Sequence, residues 1–322
     1  MSATPSPPAA DARDDGVAGV RLAAAAPFHL EATVRVLQRR PASHEVWEQS
    51  RYLRVFNTAD DLVLTAVTNF GSIDAPDVRL SFLAGTPAAG TRCALEQTVA
   101  KMLGLAVDPA PLHAAAMRLP ALRSTALALR GMRPPRFGTL FDTFGNVVPF
   151  QQLSLDAGAA IVGKLVERFG ERVTYGGRSF AAFPTASAVA GARRSALLNC
   201  GLSRSKADSL RLLARAIEAG DISEEHIARL PTSAALERLL ELPGIGPWSA
   251  ALVLLRGFGR LEVFPPGDSG AQRGLNALLR LRTPEALTRV VERFGDYRGY
   301  LYFCGLGASL LAKGLIQPAG TA

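Results

Sequence analysis

Hydrophobic and polar positions follow two rhythms along this chain, and the change between them falls near residue 110. From residue 28 the rhythm is two: Phe28, Leu30, Ala32, Val34 and Val36 alternate with Glu31, Thr33 and Arg35, which predicts a half-buried strand. Residues 52–56, 62–68 and 78–82 predict three more strands, with Asp60-Asp61 as the turn between two of them. Residues 92–103 carry Leu95, Val99 and Met102 at helical spacing. A small antiparallel sheet with a helix is therefore expected over residues 21–110.

Beyond Pro111 the strands stop and the rhythm becomes helical. Val162, Leu165, Val166 and Phe169 fall at i, i+3, i+4, i+7, as do Leu210, Leu213, Ala214 and Ile217, and Leu287, Val290, Val291 and Phe294. Thr283-Pro284-Glu285 is a helix start with a cap, a proline at the first helical position and an acidic first turn. Residues 111–322 are thus expected to form an all-α unit in two lobes, and the fold class overall is α+β. Residues 1–20, rich in Pro, Ala and Asp, are expected to be a disordered tail.

One stretch in the helical part breaks the rhythm. At 242–250 the chain reads Leu-Pro-Gly-Ile-Gly-Pro-Trp-Ser-Ala, between Leu236, Leu239 and Leu240 on one side and the almost wholly apolar 248–258 on the other. Gly244 and Gly246 permit a tight turn, and Pro247 suits the first turn of the second helix. Such a turn presents bare helix N-terminal amides, a ready site for an anion such as phosphate. A bare G-x-G between helices is also compatible with an ordinary αα-corner.

Charge and cysteine content change the picture in one respect each. The 322 residues carry a net charge of +8, which suits a polyanionic partner. Arg118, Arg123, Arg130, Arg133 and Arg136 form one arginine-rich stretch, and Arg193, Arg194, Arg204, Lys206, Arg211 and Arg215 another. Both read either as solvated helix faces or as a DNA footprint. Cys93, Cys200 and Cys304 are too far apart for a disulfide or metal framework, and His29, His44, His113 and His226 are equally scattered. Free thiols in a reducing, cytoplasmic setting and no metal site are the expectation. No apolar stretch approaches the roughly 20 residues that span a bilayer, so no membrane partner is expected.

The Leu-Pro-Gly-Ile-Gly turn between helices, followed by Val263-Phe-Pro-Pro-Gly-Asp268, resembles the helix–hairpin–helix (HhH-GPD) DNA glycosylase superfamily, and within it the 3-methyladenine DNA glycosylase II type. The resemblance implies that the N-terminal sheet is like one half of the TATA-binding-protein fold, and that Asp268 is the catalytic carboxylate. Standing alone, an Asp before Ser-Gly-Ala-Gln reads as an N-cap, and the two roles are compatible. The resemblance further implies a base pocket of Trp248, Tyr297, Leu252, Gln151 and Gln152, with Tyr300 and Tyr302 as core residues. Phosphate contacts fall to Gly244, Gly246, Ser249 and Ala250, and an intercalating wedge to Met132. The family tends to carry Trp where Tyr297 stands and Tyr where Leu252 stands, which leaves the preferred base open.

In members that also nick DNA, a lysine follows the hairpin where Trp248 stands here. The expected activity is therefore hydrolysis of the N-glycosidic bond of alkylated purines in flipped-out nucleotides, without strand cleavage. No cofactor is expected beyond an optional monovalent cation or Mg at the hairpin carbonyls. The four-cysteine iron–sulfur loop of some relatives is absent. The partner is damaged double-stranded DNA, met by a monomer at the nucleoid. Two other readings stay open: an oxidised-purine or uracil glycosylase on the same scaffold, and a non-catalytic helix–hairpin–helix DNA-binding module.

Overall fold

A computed structural model describes residues 19–39, 44–59 and 61–320. Residues 1–18 of the tail expected at 1–20, and Asp60 of the expected turn, lie outside them, and Val20 is not tail but the first residue of a strand. Five antiparallel strands, β1 (Val20–Leu22), β2 (Glu45–Glu48), β3 (Arg51–Asn57), β4 (Leu62–Asn69) and β5 (Val78–Ala84), form a sheet in the order β1-β5-β4-β3-β2. Helices α1 (Leu30–Gln38) and α2 (Ala89–Met102) cover one face of it. The strands alternate as pleating demands: Tyr52, Phe56, Val63 and Val67 point to the helices, while Leu53, Val55, Leu64 and Ala66 point the other way.

Two expectations are corrected here. Residues 28–36 do not form a strand; Leu30–Gln38 is a helix capped by the His29 ring, whose Nδ1 accepts from the Ala32 amide at 3.3 Å. The alternation misled because two faces of this helix are buried in different cores. Leu30, Val34 and Leu37 pack on the sheet, whereas Ala32 and Val36 pack into the helical unit. Superposing two i, i+4 sets two residues apart imitates period two.

The second correction is that the part beyond Pro111 is not wholly helical. Strands β6 (Arg172–Tyr175) and β7 (Arg178–Ala181) form a hairpin through Gly176-Gly177, both at positive φ. Phe180 and Ala182 close the outer face of the sheet against Leu53, Val55, Leu64 and Ala66. The hairpin thus buries a sheet face that would otherwise lie open to water.

The two units are joined by buried arginines. Arg256, fully buried in the helix Pro247–Phe258, donates through Nη1 to the Val36 carbonyl at 3.2 Å and through Nη2 to the Leu37 carbonyl at 2.8 Å. Those carbonyls end α1 and have no partner in their own helix. The guanidinium also lies over the rings of Phe137 (4.6 Å) and Phe303 (5.6 Å). Burial, and after it the nearby charge of Arg39, lowers its pKa to about 9. A second buried cluster sets Arg54 between Glu45 and Asp142, again linking sheet to helices.

Arg256→Met keeps the length of the side chain but strands two buried carbonyls. It is expected to destabilise the fold by about 3 kcal/mol, read from the denaturation midpoint. An unchanged midpoint would contradict the clamp.

Candidate active site and DNA interface

The 242–250 stretch forms a hairpin between the helices Thr232–Leu240 and Pro247–Phe258. Gly244 has φ 76°, and a Cβ there would meet Ser209 Oγ at 2.1 Å, so only glycine fits against the helix Arg204–Glu218. Gly246 differs: its φ is −95° and a Cβ would meet nothing within 4 Å. Its lack of a side chain keeps open the approach to the helix N-terminus, which no side chain caps.

Gln151 ties this hairpin to the rest of the site. Its Nε2 donates to the Gly244 carbonyl at 2.8 Å and to Ser249 Oγ at 2.9 Å. Lys206 in turn holds the turn carrying Gln151, with Nζ donating to the Gln151 carbonyl at 2.6 Å and to the Pro149 carbonyl at 3.1 Å. Burial shifts the Lys206 pKa down.

Asp268 begins the helix Ser269–Leu279, with Oδ1 accepting from the Ala271 amide at 2.8 Å. Its other oxygen, Oδ2, accepts from the indole Nε1 of Trp248 at 2.9 Å. The carboxylate is therefore held by both oxygens, as a cap and by an aromatic from the hairpin helix. It faces a cleft of about 1030 Å³ lined by Arg39, Phe150, Gln151, Gln152, Trp248 and Tyr302 among others. A second cavity of about 700 Å³ lies behind the Pro265-Pro266-Gly267 loop, but neither Asp268 nor Trp248 lines it.

Phe150 reaches the cleft because Gly158, on the helix Leu155–Phe169, leaves room for its ring; a Cβ there would stand 2.3 Å from Phe150 Cδ1. Gln152 is exposed at φ 54°, and the neighbouring Leu153 is 45% exposed at the same rim. Tyr302 shares one face of the helix Arg298–Ala312 with Gly305, Leu306 and Ser309, and all four line the cleft.

Several expected site residues stand elsewhere. Leu252 is buried in the main core at 1% exposure, because the Pro247–Phe258 helix is packed on every side. Tyr297 sits in the turn Gly295–Tyr297 and packs against the outside of the core, away from the cleft. Tyr302 is buried in the main core, as expected, and in addition lines the cleft, which Tyr297 does not. The i, i+3, i+4, i+7 spacing of Tyr302, Gly305, Leu306 and Ser309 places them on one helix face, a signal for this in the sequence.

Met132 is 1% exposed, so it has no surface from which to enter a DNA stack. The Ala250 amide already donates to the Gly246 carbonyl at 2.9 Å and is not free for phosphate. Part of the first arginine stretch is spent inside the protein, and Arg130 is taken up in an exposed ion pair. Arg133 donates to the Ala25 and Pro27 carbonyls, Arg136 to the Gly257 carbonyl, and Arg130 pairs with Asp74. From the second stretch, Lys206 lines the cleft. Sequence reasoning missed Arg39 altogether.

The two glycines of the hairpin separate packing from binding. Gly244→Ala is expected to lower Tm, at a cost of about 1–3 kcal/mol. Gly246→Ala is expected to leave Tm unchanged and to weaken duplex binding in a fluorescence-anisotropy titration. Equal losses of Tm in both variants would contradict this division.

The comparisons with known proteins agree with this geometry. Residues 147–295 match the family described as HhH-GPD superfamily base excision DNA repair protein. The chain is 25% identical over 199 residues to a DNA-3-methyladenine glycosylase of Bacillus subtilis, an alignment spanning 61% of this chain and 66% of the relative. It is 25% identical over 236 residues to DNA-3-methyladenine glycosylase 2 of Escherichia coli, spanning 73% and 78%. The fold matches the 3-methyladenine DNA-glycosylase from Archaeoglobus fulgidus with a TM-score of 0.73 and 25% identity, over 91% of this chain and 99% of that one. The hairpin at 242–250 and the anchored Asp268 both fall inside the residues that match the HhH-GPD superfamily of base excision DNA repair proteins.

Proposed function

We propose that this chain is a DNA glycosylase that hydrolyses the N-glycosidic bond of alkylated purines and does not cut the DNA strand. The observation that carries the reading is Asp268, fixed by Trp248 and Ala271 at the wall of the cleft beside an uncapped helix N-terminus. A nucleotide must leave the stack for its base to enter such a cleft. The amides of the hairpin helix hold a backbone phosphate next to the flipped nucleotide, and Gly246 lets that phosphate approach. Leu153, apolar and exposed at the rim, fills the gap in the duplex in place of Met132.

The chemistry follows from charge. As the base departs, C1′ gains oxocarbenium character, and a carboxylate that cannot swing away stabilises it without reorganising. The same carboxylate orients the attacking water. A base alkylated on a ring nitrogen is already cationic and leaves without a strong general acid. Phe150, Trp248 and Tyr302 offer the ring faces against which it stacks, worth about 1–3 kcal/mol per base.

Strand cleavage needs an amine to attack C1′. Trp248 occupies the place after the hairpin, and Lys206, the one lysine among the described residues that line the cleft, has its Nζ turned to two carbonyls. On this reading the chain acts as a monomer on duplex DNA at the nucleoid. Among the described residues no helix is long and apolar enough to cross a membrane.

Duplexes each holding one alkylated, deaminated or oxidised base test this reading. Release of free alkylpurine, an intact strand until alkali is added, and no adduct after borohydride are expected. A borohydride-trapped adduct or a nicked strand would overturn the monofunctional assignment, and release confined to oxidised or deaminated bases would overturn the substrate.

A further inference from the structure

Arg39 is the cation that sequence reasoning did not place. It caps the C-terminus of α1 in a conformation rare for a side-chain-bearing residue, φ 59° and ψ −37°, and it is 4% exposed. Such backbone strain persists where the surroundings hold it in place. The guanidinium lies over the Phe150 ring at 4.0 Å and over Phe137 at 5.4 Å. Its Nη2 donates to the Asn146 carbonyl at 3.0 Å and to Asn146 Oδ1 at 3.4 Å, and Tyr302 lines the same cleft as Arg39. A guanidinium carries five N–H donors and no acceptor, so the group that Arg39 brings to the cleft can only donate.

The charged neighbours of Arg39 come from every side. Glu45 lies on β2, Asp268 across the cleft, and Arg256 on the hairpin helix. Burial pulls the Arg39 pKa down, and Tyr302, Glu45 and Asp268 oppose that shift. An arginine stays protonated at neutral pH even so. The wall of the base pocket therefore carries a fixed cation with donors only.

We propose that Arg39 reads the exocyclic group of the flipped purine and makes the site favour 6-oxopurines over 6-aminopurines. This rests on the glycosylase reading above and goes beyond it. A guanidinium has no acceptor, so it binds a purine O6 and meets an exocyclic amine donor to donor. It also acts on the leaving group. When the C1′–N9 bond breaks, its electron pair goes to the base and the water oxygen bonds to C1′; the water's proton passes to solvent when the base was cationic and leaves neutral, and to the base when the base was neutral. In a 6-oxopurine the electron density gained by the base spreads onto O6, where a cation stabilises it. The benefit extends to neutral 6-oxopurines, which lack the help of a ring alkylation.

Methylated duplex DNA carrying both 7-methylguanine and 3-methyladenine tests this in one tube, because the ratio of released bases does not depend on how much enzyme is folded. Arg39→Met, which stacks on Phe150 but carries no charge, is expected to lower the ratio of 7-methylguanine to 3-methyladenine about tenfold or more, the worth of one hydrogen bond to a charged group. Release of hypoxanthine from a duplex is expected to fall by a similar factor. Arg39→Lys, which keeps the charge but not the planar fork, is expected to give a ratio above that of Arg39→Met. A ratio unchanged in Arg39→Met, or an equal fall for both bases, would overturn the role of Arg39 and leave the glycosylase reading standing. No release of any base by the wild type would instead overturn the glycosylase reading itself.

Discussion

The cleft depends on how the end of α1 is held. A helix ends with carbonyls that its own backbone cannot satisfy, and here those of Val36 and Leu37 are buried between two units. The guanidinium of Arg256 answers them with two hydrogen bonds and a positive charge at the negative end of the helix dipole. Burying that cation is costly, and its lowered pKa records the cost. The return is geometric: the end of α1 is fixed to the hairpin helix, and the residue that follows α1, Arg39, lines the cleft. The N-terminal unit, which has no reactive group of its own in the sequence reading, thereby lends Arg39 to the site.

From that point the site is a chain of mutual constraints. Lys206 fixes the turn at Pro149 and Gln151, Gln151 fixes Gly244 and Ser249, and the hairpin so placed starts the helix that carries Trp248. Trp248 then holds one oxygen of Asp268 while the helix Ser269–Leu279 holds the other. Four separated stretches of sequence converge on one carboxylate. Preorganisation of this kind is what electrostatic stabilisation of a short-lived cation requires, since a carboxylate that must first be oriented loses part of its effect.

What the sequence displayed and what it concealed follow from distance along the chain. The hairpin, the Pro-Pro-Gly-Asp turn and strands β3 to β5 are local patterns, and they were legible because turn residues and alternation carry their own physics. Asp268 was legible as a cap for the same reason. The helix α1 was misread because its buried faces serve two cores, and β6–β7 was missed because only its contact with the sheet explains it. Arg133 and Arg136 looked like a DNA footprint until their carbonyl partners, far off in sequence, were in view. That Tyr302 and not Tyr297 lines the cleft turns on which side of a turn the following helix faces, and Arg39 lies 229 positions from Asp268, beyond any local pattern.

The central claim is that the fixed Asp268 carboxylate stabilises the sugar cation. Asp268→Asn keeps the size of the side chain and an oxygen able to cap the helix, but removes the charge. Single-turnover release of 7-methylguanine, measured beside the affinity for the same duplex, isolates that difference. The account predicts a rate at least about a hundredfold lower, with duplex affinity and Tm close to those of the wild type. Release at the wild-type rate by Asp268→Asn would contradict it.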